Sequence, residues 1–231
     1  MKTYAIVGNQ FEGVYTKPWP EVQKYTQTKP APKYKGFTTK AEAEQWFAEM
    51  TGANGNTART YEVAYDGNFT WDPKRYYIFT DGGNRNTGNI AGGHVKSTDK
   101  AAWAIAIYPG NQPHQAVFTD SGAFLGRTNN EMELFALINA LKQAAKVPEQ
   151  VTIVSDSKYV LDSVTDWMYN WQGNGWQKKT GEIANLEAWK LVYDLMQQLA
   201  ERISFIWVKG HANSDGNVLV DQLLNQAMDN L

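Results

Sequence analysis

Four acidic residues stand at separated places in the C-terminal two-thirds of the chain: Asp81 in YYIFTDGG, Glu133 in TNNEMEL, Asp156 in VTIVSDS and Asp221 in GHANSDGNVLVD. Three of them adjoin apolar segments, where an unpaired carboxylate is costly to bury. A divalent cation is the most direct way to neutralise such a cluster, and hard oxygen ligands suit Mg²⁺ or Mn²⁺. Each residue also has an ordinary alternative. An acid near a helix start balances the helix dipole, and Asp before Gly-Gly is common turn chemistry. The metal reading rests on the four taken together.

The surrounding pattern indicates which elements must bring them together. Residues 76–80 read as a buried strand that Asp81 ends, and Gly82-Gly83 then lets backbone approach whatever Asp81 binds. Residues 101–108 and 115–124 follow as strands with no helix between them, an antiparallel meander. A helix is expected over 130–146, with Leu134, Leu137, Ile138 and Leu141 on one stripe and Glu133 in its first turn, on or beside that stripe. A strand over 151–154 leads to Asp156. Helical segments over 158–171 and 185–200, a strand over 203–208 and a last helix over 218–230, with Asp221 in its first turn, complete the pattern. Ligand sites of open α/β sheets lie at strand carboxyl ends. The expected fold is α/β, a mixed five-stranded sheet flanked by helices, preceded by a small α+β N-terminal domain.

That N-terminal domain occupies residues 1–50. Strands are expected over 4–7, 13–15 and 33–37, a short proline-opened helix over 20–25, and a second helix capped by Thr39 with Glu42 completing a capping box. Residues 51–74, rich in Gly, Asn and Thr, read as a linker as far as Arg59, and the aromatics from Tyr61 to Trp71 are able to dock on a neighbouring domain. Residues 75–231 form the larger domain.

Composition sets outer bounds. A chain of 231 residues with 42% hydrophobic and 20% charged residues can build a packed core. No apolar run approaches the ~18–20 residues of a membrane span, and the N-terminal MKTYAIVGNQ lacks the pattern of a signal peptide. The absence of cysteine excludes disulfides, thiolate metal sites and a cysteine nucleophile, and fits a reducing cytoplasm. A cytoplasmic monomer is the expectation. Residues 1–50 carry net +2 and residues 75–231 net −3. A polyanion partner would therefore lean on local patches, on cations bound by the acidic cluster and on the N-terminal piece.

The motifs TDGG, TNNEMEL, SDSKYV and WVKGHANSDGNVLVD resemble, in order and separation, the four motifs of type-1 ribonuclease H across residues 75–231. The resemblance implies a ribonuclease H-like fold and a metal-dependent endonuclease that hydrolyses the RNA strand of an RNA–DNA hybrid, leaving 5′-phosphate and 3′-hydroxyl ends. It also implies two Mg²⁺ ions, with Mn²⁺ as a substitute. Such ions, about 3.5–4 Å apart, activate water and stabilise the leaving oxygen. On this resemblance Asp81 would bridge both ions, Asp221 would complete the water-activating site, and Glu133 and Asp156 the site facing the leaving group. Glu133 would also sense the 2′-hydroxyl that separates RNA from DNA. His211, after Gly210, would transfer a proton or aid product release; its plain alternative is a loop histidine with a local hydrogen bond. His94 and His114 match no motif and read as loop residues.

Substrate contacts follow from the same resemblance. Thr128, Asn129 and Asn130 form a turn suited to sugar-edge and phosphate contacts, Arg127 a phosphate contact, and Asn217 the asparagine before the last carboxylate. Asn129 and Asn185 are equally placed to cap helices, the preferred reading for Asn185. The region from Trp167 to Trp176 matches the family's DNA-gripping protrusion. It carries Gln172, Gly173 and Asn174 where some members have basic residues, and Lys178 and Lys179 follow. Trp167, Trp171 and Trp189 read as core, and Trp176 as the residue that touches DNA. Residues 3–48 resemble the hybrid-binding, viroplasmin-like domain of many type-1 ribonucleases H. Trp19 and Tyr34 would then pack on DNA sugars, with core packing the alternative for Trp19, while Lys33 and Lys35 would hold phosphates. Gly36 replaces a frequent lysine and Gly8-Asn9-Gln10 a usually basic turn, which implies weakened binding.

Overall fold

The computed structural model describes residues 2–29, 31–51, 60–85, 95–178, 181–210 and 214–231, with the backbone alone at 48, 49 and 51. Two compact units emerge, Met1–Ala58 and Arg59–Leu231.

In the first unit β1 (Thr3–Val7) lies between β2 (Gly13–Tyr15) and β3 (Lys33–Phe37), all antiparallel. Strand alternation sends Tyr4 and Ile6 to one face and Ala5 to the other. The first face meets α1 (Trp19–Thr26) through Tyr4 and Trp19, and the second meets α2 (Lys40–Thr51) through Phe37 and Trp46. The expected capping box is present: Thr39 N–H donates to Glu42, and Glu42 N–H to the Thr39 hydroxyl.

The second unit is a six-stranded sheet in the order β4-β9-β8-β5-β6-β7. Here β4 is Glu62–Ala64, β5 Arg75–Arg85, β6 Lys100–Pro109, β7 Phe118–Leu125, β8 Gln150–Ser155 and β9 Ile203–Val208. The meander β5-β6-β7 is antiparallel, whereas β8, β9 and β4 run parallel to β5. One face buries α3 (Asn129–Ala144) and α6 (Leu186–Leu199) through Leu134, Leu137, Leu141, Trp189 and Val192. The other face buries α7 (Asp215–Asp229) through Val220, Leu224 and Met228.

Several expectations need correction. The sheet has six strands rather than five, because β4 comes from within the expected linker. The aromatics just after it, Phe69 and Trp71, pack on Tyr77 and Phe79. Their burial outweighs a local composition that reads as loop. Strand β5 does not end at Asp81 but runs through both glycines to Arg85. Helices α3 and α7 begin one and three residues earlier than expected, which moves Glu133 and Asp221 from the first turn to the second. The helix expected over 158–171 is split into α4 (Lys158–Asp162), a π-helical turn at Ser163–Trp167, and α5 (Met168–Gly173).

Candidate active site

Asp81 sits in the central strand β5, and Asp156 directly follows its parallel neighbour β8, so sheet pairing places the two side by side. Glu133 arrives from α3. Its approach depends on Gly82: a Cβ there would lie 2.1 Å from the Glu133 backbone nitrogen and 2.3 Å from the Met132 carbonyl carbon. The glycine thus admits helix backbone against the strand, where sequence reasoning assigned it to a ligand. Among the described residues, Asp81, Glu133 and Asp156 offer carboxylate oxygens that all lie within 4.8 Å of one another.

Asp221, on α7, joins these three in lining a cleft of about 650 Å³. Asn129, Asn217, Asn84, Arg85 and Asn225 also line it. Gly210 closes in from the loop after β9, where an added Cβ would meet Asp156 Oδ2 at 3.0 Å.

The electrostatics are those of crowded like charges. Burial, then repulsion from Asp156 and Asp221, pushes the Asp81 carboxyl up to about 8. Burial, then Asp81 and Asp156, raises Glu133 well above the usual carboxylate range. The backbone N–H of Gly82 opposes both shifts. Glu133 Oε2 is buried without a hydrogen-bond partner among the described residues. Arg85, a cation along the cleft, is engaged by Asp229 and by Asn225, whose backbone and side-chain oxygens lie at 3.2 and 3.0 Å. A convergent set of hard oxygen donors, one of them an orphaned buried oxygen, fits a divalent cation.

Residues 73–229 match the RNase H family. The chain belongs to the ribonuclease H family. Residues 2–47 match the ribonuclease H1 N-terminal domain. The ribonuclease H of Hydrogenovibrio crunogenus is 38% identical over 155 residues, covering 67% of this chain and 95% of that one. That of Paracidovorax citrulli is 43% identical over 109 residues, covering 47% and 72%. The fold resembles the solution structure of the PFV RNase H domain, with TM-score 0.57 and 23% identity over 67% of this chain and 94% of that one. It also resembles LC9-RNase H1, with TM-score 0.55 and 22% identity over 69% and 74%.

In this ribonuclease H the Thr128-Asn129-Asn130 segment, expected as a turn, is the cap and first turn of α3 and divides between two clefts. Asn129 lines the acid cleft. Thr128 and Asn130 line a second groove of about 460 Å³ with Asn185, Tyr159, Trp167, Trp171 and Lys178. Thr128 is itself the cap of α3, accepting from Glu131 N–H, so Asn129 is not the cap. Asn185 occupies the cap position of α6 in a left-handed conformation (φ 58°), without a side-chain capping bond. It is one of the residues that line the groove. Arg127, expected to contact phosphate, pairs with Glu131 at 3.1 Å and keeps its side chain half exposed. Trp189 is core, as expected. Trp167, 40% exposed, lines the groove rather than the core, whereas Trp171 both lines it and packs on the core Trp189 at 5.7 Å; Trp176 packs edge-on against Tyr193 and is not among the lining residues. The sequence signal was the four-residue spacing of Trp167 and Trp171, which puts them on one helical face; in the structure Lys178 lies over Trp171 at 5.3 Å.

Asn225 was missed in the sequence. Four residues after Asp221, it donates to that residue's carbonyl at 2.8 Å and carboxylate at 3.2 Å. His114 is a loop residue bonded to Asp215 at 2.8 Å. His211, His94 and Lys179 lie outside the described residues. In the N-terminal unit Trp19 bridges Tyr4 and the half-exposed Tyr34, at ring distances of 5.1 and 5.5 Å. Alternation along β3 turns Lys33 and Lys35 to the face opposite Tyr34. Gly36 lies under the Tyr4 ring, which an added Cβ would approach to 3.0 Å.

Proposed function

We propose that this ribonuclease H hydrolyses the RNA strand of RNA–DNA hybrids at the acid cleft, using two divalent cations, Mg²⁺ with Mn²⁺ as a substitute, and leaving 5′-phosphate and 3′-hydroxyl ends. The observation that carries the reading is the convergence of the Asp81, Glu133 and Asp156 oxygens within 4.8 Å, brought together from β5, α3 and the end of β8, with Asp221 on the same cleft. Bound divalent cations would supply Lewis-acid charge to the scissile phosphate and a nucleophilic water near neutral pH. The protein's own residues hold and orient. Asp81, Glu133, Asp156 and Asp221 are the ligands, and Asn225 keeps Asp221 in one rotamer. Asn129 and Asn217 offer amides to sugar and phosphate edges along the cleft wall. Thr128, Asn130 and Asn185, beside Trp167, Trp171 and Lys178, form a surface for the DNA strand, where an aromatic platform and a cation suit a sugar–phosphate backbone. His211 moves a proton at the leaving oxygen. The Trp19–Tyr34 pair of the N-terminal unit adds a second hold on the hybrid, with Lys33 and Lys35 reaching phosphates from the other side of the strand.

The test is cleavage of end-labelled RNA–DNA hybrid, double-stranded RNA and DNA duplex, each with Mg²⁺ or with EDTA. Cutting of the hybrid's RNA alone, abolished by EDTA and giving fragments that a 5′-phosphate-dependent exonuclease degrades, is expected. Uncut hybrid in Mg²⁺ refutes the reading, and 3′-phosphate ends refute the end chemistry.

A further inference from the structure

The segment that sequence composition assigns to a linker reaches the catalytic centre. Asp156 is held from behind: its main-chain carbonyl accepts a 2.9 Å hydrogen bond from the indole N–H of Trp207 on β9. That indole is fixed by two further groups. The Tyr65 ring meets it edge-on at 5.3 Å and 79°, and the Lys158 ammonium lies 4.6 Å from its centroid. Tyr65 follows β4, whose register against β9 pairs Val63 with Trp207 and Ala64 with Val208. A turn holds it there: Gly67 N–H donates to the Ala64 carbonyl at 3.0 Å, and Asn68 N–H to Asp66 at 3.1 Å. The segment is anchored at its other end as well. Tyr61 donates a 2.7 Å hydrogen bond to Asp162, in the helix that starts just after Asp156. Burial and that carboxylate push the Tyr61 hydroxyl up to about 12, so it stays a donor at neutral pH.

Tyr65 itself is 68% exposed, so the sheet does not need its ring to fill a core. Its contact with Trp207 calls for another account. We propose that the segment over residues 60–71 braces the catalytic centre: Tyr65 and Trp207 fix the main chain at Asp156 and thereby aim its carboxylate into the cation cluster. Tyr65 and Trp207 are positioning residues that act through Asp156. The inference rests on the proposed cation site. It gives this segment, read from sequence as linker, a role in metal binding within the catalytic unit.

Three variants of the full chain test it: Tyr65→Ala, Tyr65→Phe and Trp207→Phe. Two readouts are taken, the Mg²⁺ midpoint of the metal-induced rise in melting temperature, and kcat and KM for hybrid cleavage across Mg²⁺ concentration. Groups that orient a metal ligand typically alter metal affinity 10–100-fold, so the more remote Tyr65→Ala should raise the Mg²⁺ midpoint about 3–10-fold. Its metal-free melting temperature should stay close to that of the wild type, and KM for hybrid at saturating metal should not move. Tyr65→Phe, which keeps the ring, should restore the midpoint. Trp207→Phe, which removes the N–H, should shift it at least as far as Tyr65→Ala; if it also melts early without metal, the Tyr65 pair decides. An unchanged midpoint in Tyr65→Ala overturns the brace. So does a defect confined to KM, which would mean that Tyr65 touches substrate. A wild type that binds Mg²⁺ but leaves hybrid uncut refutes the proposed function while the midpoints still decide the brace; a wild type with neither response refutes both.

Discussion

At the residue scale, the carboxylates work against the fold that holds them. Asp81 keeps a proton to about pH 8 in the folded chain, whereas an unfolded Asp loses it near ~4. Across that window the folded state binds the extra proton. Metal-free stability must therefore fall as pH rises, with a limiting slope of about 1.4 kcal/mol per pH unit for one proton. Asp81→Asn should flatten this dependence and melt higher than the wild type at pH 8 in EDTA, while cutting hybrid cleavage at least ~100-fold. Thermal melts between pH 5 and 8 check it, and parallel curves for the two proteins would contradict it. The four carboxylates were legible in the sequence because three of them adjoin apolar segments and all four fall in motifs of one order and spacing. Asn225 was not, because an amide four residues from Asp221 on a polar helix face looks like any solvated side chain. Trp176 was read as the DNA contact from its place in the protrusion; its edge-on packing against Tyr193 was not legible, because that partner comes from a distant helix.

At the scale of elements, the site depends on the approach of α3 to β5. A Cβ at Gly82 would lie 2.1 Å from helix backbone, while one at Gly83 would meet the movable end of Leu224 at 3.3 Å. The two glycines are adjacent in sequence and unlike in consequence. Overpacking a close contact costs about 1–3 kcal/mol, and more when backbone must move. Gly82→Ala should lose about 3 kcal/mol or more in urea unfolding, and Gly83→Ala under about 1 kcal/mol. Similar losses at both positions would remove the close-packing account. The order of strands and helices was readable from periodicity. The starts of α3 and α7 were not, since Asn129 and Gly216-Asn217 are poor helix formers by propensity. The start of α3 is set by the capping box of Thr128 and Glu131, and that of α7 by tertiary packing: a Cβ at Gly216 would lie 2.4 Å from the Phe79 ring.

At the scale of the whole molecule, the division between units falls before residue 60, with the brace strand on the catalytic side. A fragment of residues 60–231 should fold and keep Mg²⁺-dependent cleavage, with a raised KM for hybrid. A fragment of residues 75–231, which loses β4, Phe69 and Trp71, should be markedly less stable to heat. Equal stability of the two fragments would contradict the docking of that segment. In the full chain Tyr34→Ala should raise KM about 5–100-fold, the range of one lost aromatic stack on nucleic acid, with kcat preserved. The two-unit plan was visible in composition, but the edge strand was hidden by a Gly- and Asn-rich neighbourhood whose structure is set by a sheet formed more than a hundred residues later. The central claim, that the acid cleft is a divalent-cation site, is tested most directly by anomalous scattering from crystals grown with Mn²⁺. Peaks within ligand distance of Asp81, lost in Asp81→Asn, are the predicted result. Anomalous density absent from the cleft of a protein that cleaves hybrid in the same Mn²⁺ would contradict it.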